Sequence, residues 1–336
     1  MNPELPASVV EFAVSAERAL AAAGGSALHR QAETQPSFRR DGVEPVLTRL
    51  GIDDLEPRAD VESALCAAEL CRVSGRVGLP YPVEAVLGAP PGDADARAAL
   101  VDDGAHWVEH ADLPGRWFGV GLDGSLRPLR PVPGERNRTL APFVHRVELG
   151  ERVGEVDEVG RALLLDLASC RVLGALERAL EMAVVHVKER RQFDRPLSEF
   201  QAVQFHVVDA EVAIRGLRQL VRFTLWRLVA APGTALTDAW ALRSFAIESA
   251  RTVLGAAELL HGALAFCDEH DLTVLTRSLQ APLRLPVDFE RTTELLVLAI
   301  DGGGFDGLFH RVGDPAAAHA GVGAAAPAIG DGAPGS

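Results

Sequence analysis

The feature that most constrains this chain is the apolar spacing of its second half. Leu173, Leu176, Leu180, Val184 and Val187 step by three and four residues. Val203, Val207, Ala210, Ile214, Leu217, Val221, Leu225 and Leu228 carry the same step over a longer run. This period lays one apolar stripe along each helix, and such a stripe must be buried against other helices. Pro232-Gly233 breaks the run; residues 235–266 then read as a third helix, with two shorter ones over 270–281 and 287–301. Long periodic helices with short connections predict an antiparallel bundle of the four-helix type.

The first half is different. Residues 5–90 read as short helices, with Val9, Phe12, Ala13 and Ala16 on one face of the first and Leu65, Ala68, Leu70 and Val73 near helical spacing in a later one. Gly78 and Pro80 stop that later helix. Residues 87–96 form a linker rich in Gly and Pro. Short, partly alternating strands follow at Trp107–His110, Trp117–Val120 and Val144–Leu149, with Asp123-Gly124 as a hairpin turn. The expected domains are 1–90 (helical), 91–152 (a small β domain) and 153–312 (the bundle). The tail 313–336, rich in Ala, Gly and Pro, is expected to be disordered.

Charge and composition exclude several classes of function. A net charge of −14 argues against a nucleic-acid partner, which needs a basic surface. No stretch approaches the ~20 apolar residues of a membrane span. The opening Met-Asn-Pro-Glu-Leu-Pro lacks the basic and apolar regions of a signal peptide. Cys66, Cys71, Cys170 and Cys267 form no CxxC pair and no zinc-ligand spacing, so no metal is expected. They read as reduced core thiols, and the expected location is cytoplasmic.

One segment carries chemistry. Between Arg178 and Gln204 a helix ends in Lys188, Glu189, Arg190 and Arg191, a short loop carries Gln192, Phe193 and Pro196, and a second helix opens at Ser198. Taken alone, the cations complement the C-terminal end of a helix dipole. Ser198-x-x-Gln201 before an apolar run reads as a capping box.

Taken whole, this segment resembles the helix-loop-helix of the acyl-CoA dehydrogenase flavoenzymes, which reads Arg-x-x-Phe-Gly-x-x-Leu before a helix beginning Phe-Gln. Glu69-Leu70 with Gly75 resembles the family's N-terminal "Glu-Leu-x-x-x-x-Gly" helix end. The resemblance implies a mostly α fold: an N-terminal helical domain, a small β domain, here truncated, and a C-terminal antiparallel four-helix-type bundle. It also implies that Arg190 donates to an FAD pyrophosphate, that Gln192 adds a hydrogen bond and that Phe193 packs beside the flavin or its ribityl chain. That FAD would be shared at a subunit interface. Asp194 stands where the family prefers Gly.

Other parts of the family's machinery are absent. Leu260–Leu272 resembles Gln-x-x-Gly-Gly-x-Gly-Phe-x-x-Glu; Gly262, Phe266 and Glu269 match, but Leu259 replaces Gln, and Ala263 and Ala265 replace glycines. His261 reads as an interhelical residue and Glu269-His270 as a helix start. The family's catalytic carboxylate, in a Tyr-Glu-Gly-Thr loop, falls here near Pro286, and its alternative on the first long helix falls near Leu163–Leu165. Asp166 and Asp288 each lie a register slip away and read as structural, Asp288 as the N-cap of a helix beginning at Phe289. No Thr-Glu-Pro-x-x-Gly-Ser-Asp stretch for the flavin ring is found.

The pattern is therefore similar to the shorter, non-catalytic subunit of actinobacterial α2β2 acyl-CoA dehydrogenases. That implies a full-length catalytic partner that binds most of the acyl-CoA, with a steroid side-chain CoA ester as one substrate class. Two other readings stay open: a flavin-free helical scaffold, and a self-sufficient dehydrogenase with Asp288 as base.

Overall fold

Five helices open the chain: α1 (Ala7–Ala22), α2 (Gly25–Thr34), α3 (Phe38–Arg49), α4 (Val61–Val77) and α5 (Val83–Leu87). In the computed structural model the described residues are 5–92, 95–104, 106–137, 141–230 and 232–302. The tail from 313 lies outside them. α4 begins where the Asp60 carboxylate accepts from the Ser63 amide at 2.8 Å, and it ends at Gly78, whose left-handed φ of 64° suits glycine.

A sheet of six strands follows: β1 (Ala96–Val101), β2 (Trp107–Glu109), β3 (Arg116–Gly121), β4 (Ser125–Arg136), β5 (Val144–Leu149) and β6 (Gly154–Glu155). Their order is β1-β3-β4-β5-β2, with β6 on β4 and only β1–β3 parallel. The Asp123-Gly124 turn joins β3 to β4 as expected, with Gly124 at φ 87° and the Asp123 carboxylate accepting from the Ser125 amide at 2.9 Å. Three strands escape the pattern reading, one of them the two-residue β6. β1 opens directly out of the breaker-rich linker, and β4 carries Pro128, Pro131 and Pro133, which argue against a strand until the register shift between Pro131 and Arg136 is seen.

The second half is the bundle: α6 (Glu158–Glu189), the two-strand hairpin β7 (Arg191–Gln192) and β8 (Arg195–Pro196), α7 (Gln201–Ala230), α8 (Ala235–His261), α9 (Asp271–Ser278), α10 (Gln280–Arg284) and α11 (Phe289–Asp301). α6 is the most widely packed helix of the described residues, lying on α4, α7 and α8 and burying Leu163, Leu165, Leu173, Leu176 and Leu180. α11 packs on α8. The expected order of helices, small sheet and antiparallel bundle is observed.

Three local expectations are corrected. The third long helix stops at His261 because Gly262 turns to φ 61°, and residues up to Phe266 form a 3-10 helix. The second opens at Gln201; Ser198 lies in a separate 3-10 turn, and its carbonyl accepts from the Gln204 amide side chain at 3.0 Å. Among the cysteines all are free, but only Cys71 and Cys170 are buried; Cys66 is half-buried and Cys267 is exposed.

Candidate functional site

Two places bear on function: a cleft between the sheet and the bundle, and the end of the bundle where α6 and α8 stop. The cleft collects residues of α5, β1, β2, β3, the N-terminal half of α6, α8, α10 and the α10–α11 connection. Its walls include Trp107, Trp117, Leu164, Leu165 and Pro286, and they leave a cavity of about 100 Å³. Ligand pockets are typically ~300–1,000 Å³, and a water takes ~30 Å³ of liquid. The space therefore suits a few waters and does not fit a flavin ring.

Neither position expected for a base offers a free carboxylate. Leu163, Leu164 and Leu165 are buried apolar residues, and Pro286 holds the other position. The cleft does contain two glutamates that pattern reading missed, Glu84 and Glu109, and both are tied to Arg171 of α6. Arg171 Nη1 lies 2.7 Å from Glu84 Oε1 and 2.7 Å from Glu109 Oε2; Nη2 donates to Glu109 Oε1 at 3.1 Å. Burial pushes the Glu109 carboxyl up, and Arg171 pulls it back. Only the fold brings these residues together, since they stand on α5, β2 and α6. Beside them Arg243 spends its guanidinium on the Pro282 and Val287 carbonyls and the Thr292 hydroxyl. Burial lowers its pKa to about 10.

The carboxylates considered as substitutes for the base stand elsewhere. Asp288 accepts from the Arg291 amide at 2.9 Å, the N-cap expected of it. Asp166 is buried on α6, with the Thr224 side chain beside its carboxyl. Burial pushes its carboxyl well above the ordinary range, and the Asp238 carboxylate adds to the effect.

At the bundle end the chain turns from α6 into the β7–β8 hairpin. Phe193 (φ 51°) and Asp194 (φ 63°) are both left-handed, as a two-residue type I′ turn requires. This explains why the family places Gly beside the Phe, and aspartate tolerates that conformation better than most residues. Arg190 caps α6, its amide donating to the His186 carbonyl at 2.8 Å. Arg190 and Gln192 are exposed, and Phe193 is 84% exposed. Arg195 lies over the Phe200 ring at 3.9 Å and so braces the hairpin against the start of α7.

α8 ends beside it. His261 Nδ1 lies 2.8 Å from the Ala257 carbonyl, and its ring stacks on His186 at 4.7 Å between centroids, so it is an interhelical residue as expected. Leu259, in the Gln position, and Phe266 are exposed. Val185, Phe193, Phe205, Val208, Val212, Leu259, Leu264 and Phe266 supply eight of the fifteen large exposed apolar side chains among the described residues. Large apolar side chains left exposed in such number are characteristic of interaction surfaces. The structure thus places Arg190, Gln192, Phe193 and Gly262 around one end of the bundle, away from the filled cleft.

Residues 167–282 match the family model for the acyl-CoA dehydrogenase C-terminal domain. The chain is similar to the acyl-CoA dehydrogenase IpdE2 of Mycolicibacterium smegmatis, 33% identical over 124 residues, which cover 37% of this chain and 36% of that protein. The matched segment is thus about a third of the relative's length. Among solved structures, the ChsE4-ChsE5 complex from Mycobacterium tuberculosis superposes with a TM-score of 0.73 at 15% identity, covering 90% of this chain and 99% of the other. The Tcur3481-Tcur3483 steroid ACAD variant gives 0.67 at 17%, covering 88% and 98%. The protein has the acyl-CoA dehydrogenase fold, and residues 167–282 of its bundle match that family's C-terminal domain model. Among the described residues no helix is long and apolar enough to cross a membrane.

Proposed function

We propose that this chain is the non-catalytic subunit of a heteromeric FAD-dependent acyl-CoA dehydrogenase and that its bundle end completes the flavin site of a full-length partner. The observation that carries this reading is the contrast between its two candidate places. The cleft in which a self-sufficient enzyme would hold flavin and base is filled by Trp107, Trp117 and aliphatic side chains, and its glutamates are locked on Arg171. The bundle end presents a cation, an amide and an exposed aromatic ring in succession at Arg190, Gln192 and Phe193. One of the similar solved structures is a complex, ChsE4-ChsE5, and another is named for two components, Tcur3481-Tcur3483, which supports a partner subunit.

FAD, when bound, supplies the hydride acceptor for α,β-dehydrogenation of an acyl thioester. This chain's residues bind and orient. Arg190 gives a charge-assisted hydrogen bond to a phosphate oxygen, Gln192 adds a neutral one, and Phe193 packs an aromatic face against the cofactor. The partner supplies the base and most of the acyl-CoA contacts. A steroid side-chain thioester fits the steroid enzyme named among the structural neighbours.

Arg190→Ala in the assembled complex tests the assignment. FAD occupancy after gel filtration is expected to fall, because a charged hydrogen bond contributes about 1.5–3 kcal/mol. Full occupancy in the variant would instead favour the flavin-free scaffold.

A further inference from the structure

We propose that the stacked imidazoles of His186, His261 and His270 act with Arg190 as a proton-linked recognition face for the diphosphate of a dinucleotide. The proposal rests on the interface-flavin reading and deepens it. His186 stands in the last turn of α6, His261 ends α8 and His270 is the N-cap of α9. The His261 ring lies 4.7 Å from that of His186 and 4.9 Å from that of His270. Three separate elements thus bring three titratable rings together next to the segment that carries Arg190. Among the described residues no group of three or more His, Cys, Asp or Glu side chains is placed to hold a metal ion, so a metal does not account for the cluster.

The local electrostatics explain why such a cluster is needed. α6 and α8 both end here, and helix C-termini carry partial negative charge. A diphosphate can settle against them only if side-chain cations outweigh that field. The family's glycine-lined cradle is reduced to Gly262, above which a Cβ would meet nothing within 4 Å, so a ligand can approach the backbone there. The exposed rings of Phe193 and Phe266 offer faces for an aromatic base.

The hydrogen bonds set the proton positions. The Ala257 carbonyl can only accept, so His261 carries its proton on Nδ1. His270 Nδ1 accepts from the Leu272 amide at 3.2 Å, so in the neutral ring the proton is on Nε2. With Nδ1 committed to that carbonyl, Nε2 is the His261 nitrogen left for another partner. The charged groups around the stack are Glu189 and Arg190 on α6, Asp271 on α9 and Arg30 on α2. Arg30 is held by Asp271 at 2.8 Å. Burial, then the neighbouring His261 ring, lower the pKa values of His186 and His270, so these two rings are the ones an arriving dianion would help to protonate.

The test is FAD titration of the apo-complex by flavin fluorescence at pH 6, 7 and 8, with proton uptake read by calorimetry in two buffers of different ionisation enthalpy. Wild type is expected to bind about three- to tenfold more weakly at pH 8 than at pH 6, with net proton uptake. His261→Gln, and separately the more exposed His186→Gln, should flatten that dependence while the complex stays assembled. If Arg190→Ala weakens binding but both histidine variants keep the wild-type pH profile, the histidine assignment is overturned and the interface-flavin reading stands. If Arg190→Ala has no effect, both fall.

Discussion

Gly75 of α4 and Gly174 of α6 bring two helices into backbone contact: a Cβ on Gly174 would collide with the Arg72 carbonyl, and a Cβ on Gly75 with the Arg171 carbonyl. This crossing fixes where the side chains of Arg72 and Arg171 emerge. Arg171 is thereby held over Glu84 and Glu109 in the cleft, and Arg72 over Glu177 on the outer face.

Gly174→Ala is expected to destabilise the protein despite the better helix propensity of alanine. Propensity returns at most ~1 kcal/mol, while forcing a methyl into closed backbone contact costs ~1–3 kcal/mol or more. Thermal denaturation should show a lower Tm. A Tm at or above wild type would mean that the helices can separate without penalty.

Arg171→Ala leaves two buried carboxylates without their counter-ion. Breaking a buried ion pair from one side costs ~3–5 kcal/mol, so the variant should be strongly destabilised in denaturant titrations. Replacing the three together, with Arg171→Met, Glu84→Leu and Glu109→Leu, is expected to recover most of the loss. A triple variant as unstable as the single one would show that the cluster does more than satisfy itself.

Asp166 gives a pH dependence of definite sign. Its folded-state pKa is raised by burial and by Asp238, so the ionisation penalty is absent below the unfolded pKa of about 3.9 and grows as pH rises toward the folded value. Asp166→Asn should therefore raise stability at pH 7 relative to wild type and change little near pH 3–4. Equal shifts at both pH values would assign the effect to packing.

Asp194→Gly tests the hairpin tip. Glycine adopts the left-handed conformation of Asp194 without a Cβ penalty, worth ~1 kcal/mol at most against a tolerant aspartate. It also removes a carboxylate beside the proposed diphosphate site. The variant should fold at least as well and hold FAD in the complex more tightly, as read by cofactor release on dilution. Weaker retention would mean that the turn's charge is used in binding.

Asp288→Asn separates capping from catalysis. Asparagine caps a helix about as well as aspartate, so stability should stay within ~0.5 kcal/mol and activity of the complex should persist. Abolished activity with intact folding would revive Asp288 as the base.

Much of this was legible in sequence because it is periodic or local. The stripes of α6 and α7 are set by a spacing of three and four, and the Asp288 cap and the Asp123-Gly124 turn by neighbouring residues. The resemblance around Arg190 identified the α6–α7 hairpin because the motif is contiguous. What escaped depends on residues far apart in the chain. Glu84, Glu109 and Arg171 meet only where α5, β2 and α6 pack together, and His186, His261 and His270 only where α6 and α8 end side by side next to the start of α9. β4 was hidden by its prolines, and the filled cleft by the fact that its wall residues come from many separate elements.

The central claim is that this chain completes another subunit's flavin site and holds none of its own. Gel filtration of the chain alone, and co-expressed with a full-length acyl-CoA dehydrogenase encoded beside it, tests this when flavin absorbance near ~450 nm is followed across the peak. The account predicts a colourless lone chain, prone to self-association through its exposed bundle end, and a yellow stoichiometric complex. A yellow, catalytically active homo-oligomer of the lone chain would contradict it.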